Sequence, residues 1–205
     1  YNNKNNIIIP KIYRELSNNN IITQEYIDGI KLNELSDYEK NCYSEILWNF
    51  AFESAFIYGH WHSDLHKGNL IFMKNNKIGI IDYGLTGYLK SFEKVILLNY
   101  NTHILKKEWK KAARLYVTKM TNKTEYLNDV KVNFINDISN ILEKHFDYNP
   151  NISECVSDLA MCSKIYGTKF NDKYVKFEIA FSTLSSTLSE LGCENIYDYM
   201  RIKLL

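Results

Sequence analysis

The feature that most constrains this chain is a short predicted hairpin framed by two oxygen-bearing side chains. Residues 70–73 (LIFM) and 77–81 (KIGII) have the apolar, β-branched character of paired strands, and two asparagines lie between them at 75–76. Asparagine tolerates the positive φ angles that a two-residue type I′ turn requires. Asn69 immediately precedes the first strand and Asp82 follows the second. The sequence therefore predicts that Asn69 and Asp82 meet at the open end of one hairpin.

The loop before this hairpin carries a further carboxylate. In residues 62–69 (HSDLHKGN), Asp64 lies five positions before Asn69, and Asp82 is followed by a Tyr-Gly pair. In kinase-type phosphoryl transfer, a loop aspartate orients the attacking hydroxyl or water and accepts its proton, while an asparagine and a second aspartate bind magnesium. Amide and carboxylate oxygens are the ligands that Mg²⁺ prefers. This pattern predicts an ATP site with Asp64 as the catalytic residue and with Asn69 and Asp82 as metal ligands.

The same loop is rich in histidine, which allows a second interpretation. His60, His62 and His66 lie close to Asp64 in the sequence and could form a metal cluster. Zinc sites usually draw on separated ligand pairs that are held by further hydrogen-bonded partners, so the magnesium interpretation is favoured. We expect His62 to brace the loop backbone, and His66 or Lys67 to face the phosphates.

Composition limits the other classes of function. With 205 residues and 45% hydrophobic residues, the chain can bury a core and form one compact unit or one and a half lobes. A net charge of +1 argues against nucleic-acid binding. The four cysteines show no C-x-x-C spacing, which favours reduced thiols in a cytosol-like compartment. No apolar run is long enough to predict a transmembrane span or a signal peptide.

The remaining pattern is mainly helical. Strands are predicted at 7–13, broken by Pro10, and at 21–26. Ser36 and Glu39 form a capping-box pattern before a long helix that should stop at Gly59. Apolar stripes predict further helices at 92–105, 107–120, 126–145, 152–166 and 174–191.

Taken in order, these motifs resemble a known family. Residues 10–13 (PKIY), 24–32 (QEYIDGIKL), 62–69 and 81–87 (IDYGLTG) follow the order and spacing of the ABC1/UbiB atypical protein-kinase-like family, which includes the aarF-domain kinases linked to coenzyme Q biosynthesis. The tail, including 109–115 (WKKAARL), also resembles it. The resemblance covers nearly the whole chain, and the Leu-Thr-Gly after Asp-Tyr-Gly is its most specific piece.

The resemblance implies a protein-kinase-like fold of the α+β class, mostly α, with a helical C-lobe, a small catalytic-loop hairpin and a remnant of the N-lobe sheet. Residues 1–35 would be that remnant together with the hinge, and residues 36–205 the C-lobe with family-specific C-terminal helices. The K-x-G-Q motif, the alanine-rich nucleotide loop and the strand lysine of the family are absent from this sequence. We expect them to precede Tyr1, and we expect this segment alone to bind nucleotide weakly.

The resemblance also implies roles for the hinge. Backbone groups of Glu25 and Ile27 would bond the adenine edge of ATP, with Gln24 at the gatekeeper position. The sequence departs from the family where Leu65 and Lys67 replace prolines, and where a tyrosine replaces the phenylalanine after Asp82. None of these positions supplies a metal ligand, so the chemistry is not excluded.

Three functions compete at this stage. The first is an atypical kinase or ATPase that uses ATP and Mg²⁺, which the resemblance ties to isoprenoid-quinone (coenzyme Q) lipid metabolism, with a membrane lipid or quinone precursor as partner and peripheral membrane association. The second is a small-molecule phosphotransferase of the aminoglycoside or choline kinase kind, whose loop has the same His-x-Asp-Leu-His-x-Gly-Asn pattern. Residues 85–87 and the hinge favour the first. The third is a non-catalytic kinase-like binding module, against which the intact Asp64, Asn69 and Asp82 argue.

Overall fold

A computed structural model describes residues 6–122, 128–147, 152–193 and 195–205. In these residues the chain is mostly helical, with a few short strands, which agrees with the predicted α+β, mostly α class. The strands are β1 (Ile7–Ile8), β2 (His60–His62), β3 (Leu70–Met73), β4 (Lys77–Ile80) and β5 (Thr86–Tyr88). The helices are α1 (Asp37–Phe52), α2 (Ser91–Leu105), α3 (Trp109–Leu115), α4 (Asn128–Phe146), α5 (Ile152–Ile165), α6 (Asp172–Glu190) and α7 (Ile196–Leu204).

Helix α1 begins at the predicted capping box. The Ser36 hydroxyl accepts a hydrogen bond from the Glu39 amide at 3.4 Å, and the Glu39 carboxylate accepts one from the Ser36 amide at 2.9 Å. The helix continues into a π-helical segment, Glu53–Ile57, and the chain turns at Gly59 with φ of +75°. Its buried face includes Leu47 and Trp48. The sequence therefore predicted both ends of this element correctly.

The predicted hairpin between Asn69 and Asp82 is also confirmed. Strands β3 and β4 pair antiparallel with Leu70 opposite Ile80, and both side chains are fully buried. Asn75 and Asn76 have φ angles of 64° and 54°, which is the left-handed conformation that the turn requires. Strand β1 adds to β4 in parallel and completes a three-stranded sheet.

The N-terminal region is less regular than the sequence suggested. Residues 21–26 do not form a strand, and their pairing with the preceding segment is a single bridge between Ile12 and Gln24. Strand β1 covers only Ile7–Ile8 rather than residues 7–13, and Pro10 follows closely without an amide hydrogen to donate. An isolated two-stranded pairing is marginal in water, which explains why this part of the remnant sheet stays short.

A second small sheet was not predicted. Strand β2 pairs antiparallel with β5, and Trp61 lies opposite Gly87. A Cβ atom on Gly87 would lie 2.0 Å from the Trp61 ring, so only glycine fits this position. The β2–β5 pair joins the segment before the loop at residues 62–69 to the segment that follows Asp82.

The C-terminal helices agree with the predicted pattern, with local differences. Helices α2, α5 and α6 lie within a few residues of their predicted bounds, while the predicted helix at 107–120 is α3 followed by a π-helical segment, Tyr116–Met120. Residues 126 and 127 of the predicted helix at 126–145 lie outside the described residues, and α4 covers the rest. Helix α7 was missed. In the part of the chain that is described, no helix combines the length and apolarity needed to cross a bilayer.

Candidate active site

His62 connects the predicted catalytic residue to a predicted metal ligand. It lies at the end of β2 with a buried side chain. Its Nδ1 accepts a hydrogen bond from the Asp64 amide at 3.1 Å, and its Nε2 bonds the Asp82 carbonyl. Burial lowers the pKa of His62 below its ordinary value, which favours the neutral ring that can accept at Nδ1 and donate at Nε2. The predicted bracing role of His62 is confirmed.

Asn69 fixes the geometry of the loop from the other side. Its side-chain amide nitrogen donates to the Asp64 carbonyl at 3.0 Å and to the Asp64 carboxylate at 3.3 Å. The backbone carbonyl of Asn69 accepts a hydrogen bond from the backbone amide of Ile81 at 3.1 Å. Because both side-chain contacts use nitrogen, the amide oxygen of Asn69 is the atom suited to a metal, and the bond to Ile81 places Asp82 at the next position.

Asp82 is held by the turn that follows it. One oxygen of its carboxylate accepts a hydrogen bond from the Gly84 amide at 2.7 Å, and the residue is exposed. Magnesium usually takes one or two protein oxygens together with phosphate and water, and the amide of Asn69 with the carboxylate of Asp82 fits that donor set. In the described residues, no group of three or more His, Cys, Asp or Glu side chains is arranged to hold a metal ion.

The two predicted phosphate-facing residues are separated in the structure. His66 lies beside Asp64, with its Nε2 3.5 Å from an Asp64 carboxylate oxygen, while its Nδ1 accepts a hydrogen bond from the Gly68 amide at 3.0 Å. The Lys67 ammonium lies 2.8 Å from the Glu190 carboxylate at the end of α6. Both are exposed side chains at the rim of the loop, but only His66 contacts Asp64.

The predicted hinge packs against the same hairpin. The Gln24 side-chain amide donates to the Ile81 carbonyl at 3.2 Å, and the Glu25 amide donates to the Lys11 carbonyl at 2.7 Å. Ile27 is buried over Gly79, where an added Cβ would lie 2.8 Å from the Ile27 side chain. The predicted hinge residues and the predicted metal ligands are therefore connected through one small sheet.

Sequence reasoning missed one group of residues at this site. The buried Thr187 hydroxyl of α6 donates to the Leu65 carbonyl at 2.8 Å, and Glu190 pairs with Lys67. One signal could have revealed Thr187, because it is a polar residue within the apolar stripe of the predicted helix 174–191.

Comparison with known proteins identifies the family. A family model described as the ABC1 atypical kinase-like domain matches residues 1–116. The chain belongs to the ABC1 atypical kinase-like family. The match includes the hinge, the catalytic loop and Asp82, whereas α6 lies beyond it.

Individual relatives align with parts of the chain at 23–33% identity. An uncharacterised Synechocystis protein is 23% identical over 175 residues, which cover 78% of this chain and 42% of that protein. The chloroplastic ACTIVITY OF BC1 COMPLEX KINASE 7 of Arabidopsis thaliana is 26% identical over 190 residues, covering 90% of this chain and 27% of the relative. AarF domain-containing protein kinase 1 of Xenopus laevis is 33% identical over 88 residues, which cover 38% of this chain and 17% of that relative. The chain spans less than half the length of these relatives.

A solved structure also aligns with the chain. It is a Mycobacterium tuberculosis protein in complex with erythromycin, with a TM-score of 0.48 and 13% identity, covering 83% of this chain and 44% of that one.

Proposed function

We propose that this chain carries the catalytic loop and metal site of an ABC1-type atypical kinase or ATPase that transfers the γ-phosphoryl group of ATP, or hydrolyses it, with Mg²⁺. One observation carries the proposal. Asp64, Asn69 and Asp82 belong to a single hydrogen-bonded network in which His62 joins the backbones of the two aspartates. These are the base and the two metal-ligand groups of kinase-type phosphoryl transfer.

Each side chain has a distinct role in this proposal. Asp64 orients the attacking hydroxyl or water and accepts its proton at a carboxylate oxygen. The amide oxygen of Asn69 and the carboxylate of Asp82 would hold a magnesium ion, which would neutralise charge at the phosphates. The bond from Asn69 to Asp64 holds the base in register with the metal site, so positioning and electrostatics account for catalysis.

The nucleotide would lie between the hinge and the catalytic loop. The Glu25 amide is bonded to Lys11, so Glu25 would contact the adenine edge through its carbonyl, and Ile27 through its amide. His66, next to Asp64, faces the phosphates, and Lys67 does so when its ammonium leaves Glu190.

An apolar surface beside the site supports an acceptor or activator of lipid character. A cavity of about 180 Å³ is lined by Ile9, Phe50, Ser54, His60, Trp61, His62, Tyr83 and Thr86. The nearby Leu85 and Tyr88 side chains are largely exposed. These features fit peripheral membrane association and a membrane lipid or isoprenoid-quinone precursor as partner.

The test separates the metal role from the base role in the intact protein. Asp82→Asn should abolish the magnesium-dependent thermal shift with ATP, because it removes the anionic metal ligand. Asp64→Asn should keep that shift and lower the rate of phosphate release by roughly 10² or more. Asp198→Asn, on the surface of α7, is the matched control and should behave like wild type.

Phosphate release is measured with and without vesicles that contain anionic lipid. Turnover by Asp64→Asn at the wild-type rate would show that Asp64 is not the base. Efficient phosphorylation of an aminoglycoside or a choline-like alcohol would replace this proposal with the small-molecule phosphotransferase. Nucleotide binding without turnover by wild type would indicate a binding module.

A further inference from the structure

Helix α6 runs along the catalytic machinery with one continuous face. At its start, the Lys173 ammonium lies 2.7 Å from the Glu93 carboxylate of α2. One turn later, the Phe177 ring packs edge to face on Trp61 of β2, with ring centroids 5.6 Å apart. Trp61 directly precedes His62, so α6 supports the strand that leads into the loop.

The same face continues to the loop itself. Leu184 and Leu65 both line a tight apolar cavity of about 20 Å³, which α6 and the loop share with α1 and the π-helical segment that follows it. The Thr187 hydroxyl donates to the Leu65 carbonyl at 2.8 Å, and Glu190 lies 2.8 Å from Lys67. Residues 173, 177, 184, 187 and 190 are spaced by three, four or seven positions, so they form one stripe on the helix.

We infer that α6 is a positioning element of the catalytic loop, in which Thr187 holds the loop backbone beside Asp64 and Glu190 competes with the phosphates of ATP for Lys67. The family match ends at residue 116, so Thr187 and Glu190 of α6 lie beyond it, whereas the loop residues that they contact lie within it. The competition between Glu190 and the phosphates rests on the proposed function, whereas the role of Thr187 in loop order does not.

The two contacts differ in what they control. The Thr187 hydroxyl is buried, and removing it leaves a loop carbonyl without this donor in a site that water enters poorly. The side chains of Lys67 and Glu190 are both exposed, so their ion pair contributes little to stability. Another anion can therefore replace Glu190 as the partner of Lys67. Thr187 therefore sets the position of the loop, and Glu190 sets how readily Lys67 is available.

Hydrogen exchange tests the first role without any assay of activity. The amides of Asp64, Gly68 and Asn69 are each bonded within the loop and report its local opening. In Thr187→Val of the intact protein these amides should exchange about ten-fold faster or more. The control is Thr183→Val, one turn earlier, whose hydroxyl bonds its own helix at the Ile179 carbonyl.

Thr187→Ser, which restores a hydroxyl, should restore most of the protection. The inference fails if the loop amides exchange equally in the Thr187→Val and Thr183→Val variants. It also fails if exchange rises evenly over the whole protein rather than in the loop.

Steady-state kinetics tests the second role. Glu190→Gln should lower the KM for Mg·ATP by about two- to five-fold, the range expected for an exposed ion pair, and leave kcat within about two-fold. Lys67→Met should raise KM, and Glu190→Gln should have no further effect in that background. Lys169→Gln removes an exposed ion pair with Asp172 that takes no part in these loop contacts, and it serves as control.

The proposed competition for Lys67 is contradicted if Glu190→Gln leaves KM unchanged, or if it changes KM equally in the wild-type and Lys67→Met backgrounds. A wild-type protein that shows no turnover at all would contradict the proposed function. In that event the hydrogen-exchange comparison still decides whether α6 positions the loop.

Discussion

Replacing His62 by leucine is the most direct test of the network that joins the two aspartates. Leucine keeps an apolar side chain in the same buried position but removes both ring nitrogens. The Asp64 amide then loses its acceptor and the Asp82 carbonyl loses its donor. The His62 ring also packs on Tyr83, with ring centroids 5.0 Å apart. The substitution therefore disconnects Asp64 from the turn that holds Asp82.

The size of the effect follows from burial. Leaving a buried donor or acceptor unpaired costs about 1–3 kcal/mol. The Asp64 amide lies in a partly buried loop, so the loss of its acceptor should cost a free energy near the middle of that range. Asp82 is exposed, so its carbonyl can bond water instead and the loss of its donor costs less. We expect the free energy of unfolding to fall by about 2–3 kcal/mol. For a chain of this length that corresponds to a decrease in Tm of about 4–12 °C.

The assay is urea unfolding of wild type, His62→Leu and His60→Leu. His60 is the matched control, because it is exposed and its ring contacts Tyr88 at 4.7 Å without a bond to the catalytic loop. That variant should change stability by no more than about 0.5 kcal/mol. Equal effects of the two substitutions, or a loss below about 1 kcal/mol in His62→Leu, would refute the bracing role.

The remaining predictions concern pH and helix capping. Burial lowers the pKa of His62, so below about pH 6.5 the unfolded chain binds a proton at this residue more readily than the folded protein does. Stability should therefore fall as the pH drops below that value. In pH-dependent urea unfolding, His62→Leu should remove this component. Burial raises the pKa of Glu178 to about 7, so the folded protein loses stability as the pH rises from 4.5 through 7. At about 1.4 kcal/mol per pH unit, Glu178→Gln should therefore raise the stability at pH 8 by up to roughly 3 kcal/mol, and leave Tm unchanged at pH 4, as measured by calorimetry. Ser36→Ala should cost about 1 kcal/mol in urea unfolding by removing the cap of α1, and an unchanged midpoint would contradict the capping role.

The sequence predicted the parts of the site that depend on local chemistry. The Asn75 and Asn76 turn, the capping box at Ser36 and the stop at Gly59 each follow from the conformational preference of residues close in the chain. The order of Asp64, Asn69 and Asp82 could likewise be interpreted, because a hairpin between them fixes which residues meet.

The unpredicted parts depend on residues far apart in the sequence. Strand β2 has only three residues and forms because β5 pairs with it, which no local pattern indicates. Lys67 finds its partner 123 residues later, on a helix whose packing direction the sequence does not specify. The second predicted N-terminal strand failed for the related reason that it has too few neighbours to pair with.

The contact between Thr187 and Leu65 also bears on how the protein is made. The two residues are 122 positions apart, so the loop-closing bond requires α6 to have been synthesised. At about 5–20 residues per second, a ribosome needs roughly 6–24 seconds to make that stretch. Throughout this interval the hairpin and α1 can form, but the loop around Asp64 lacks its support. We therefore expect the loop around Asp64 to reach its final order only after α6 has been made.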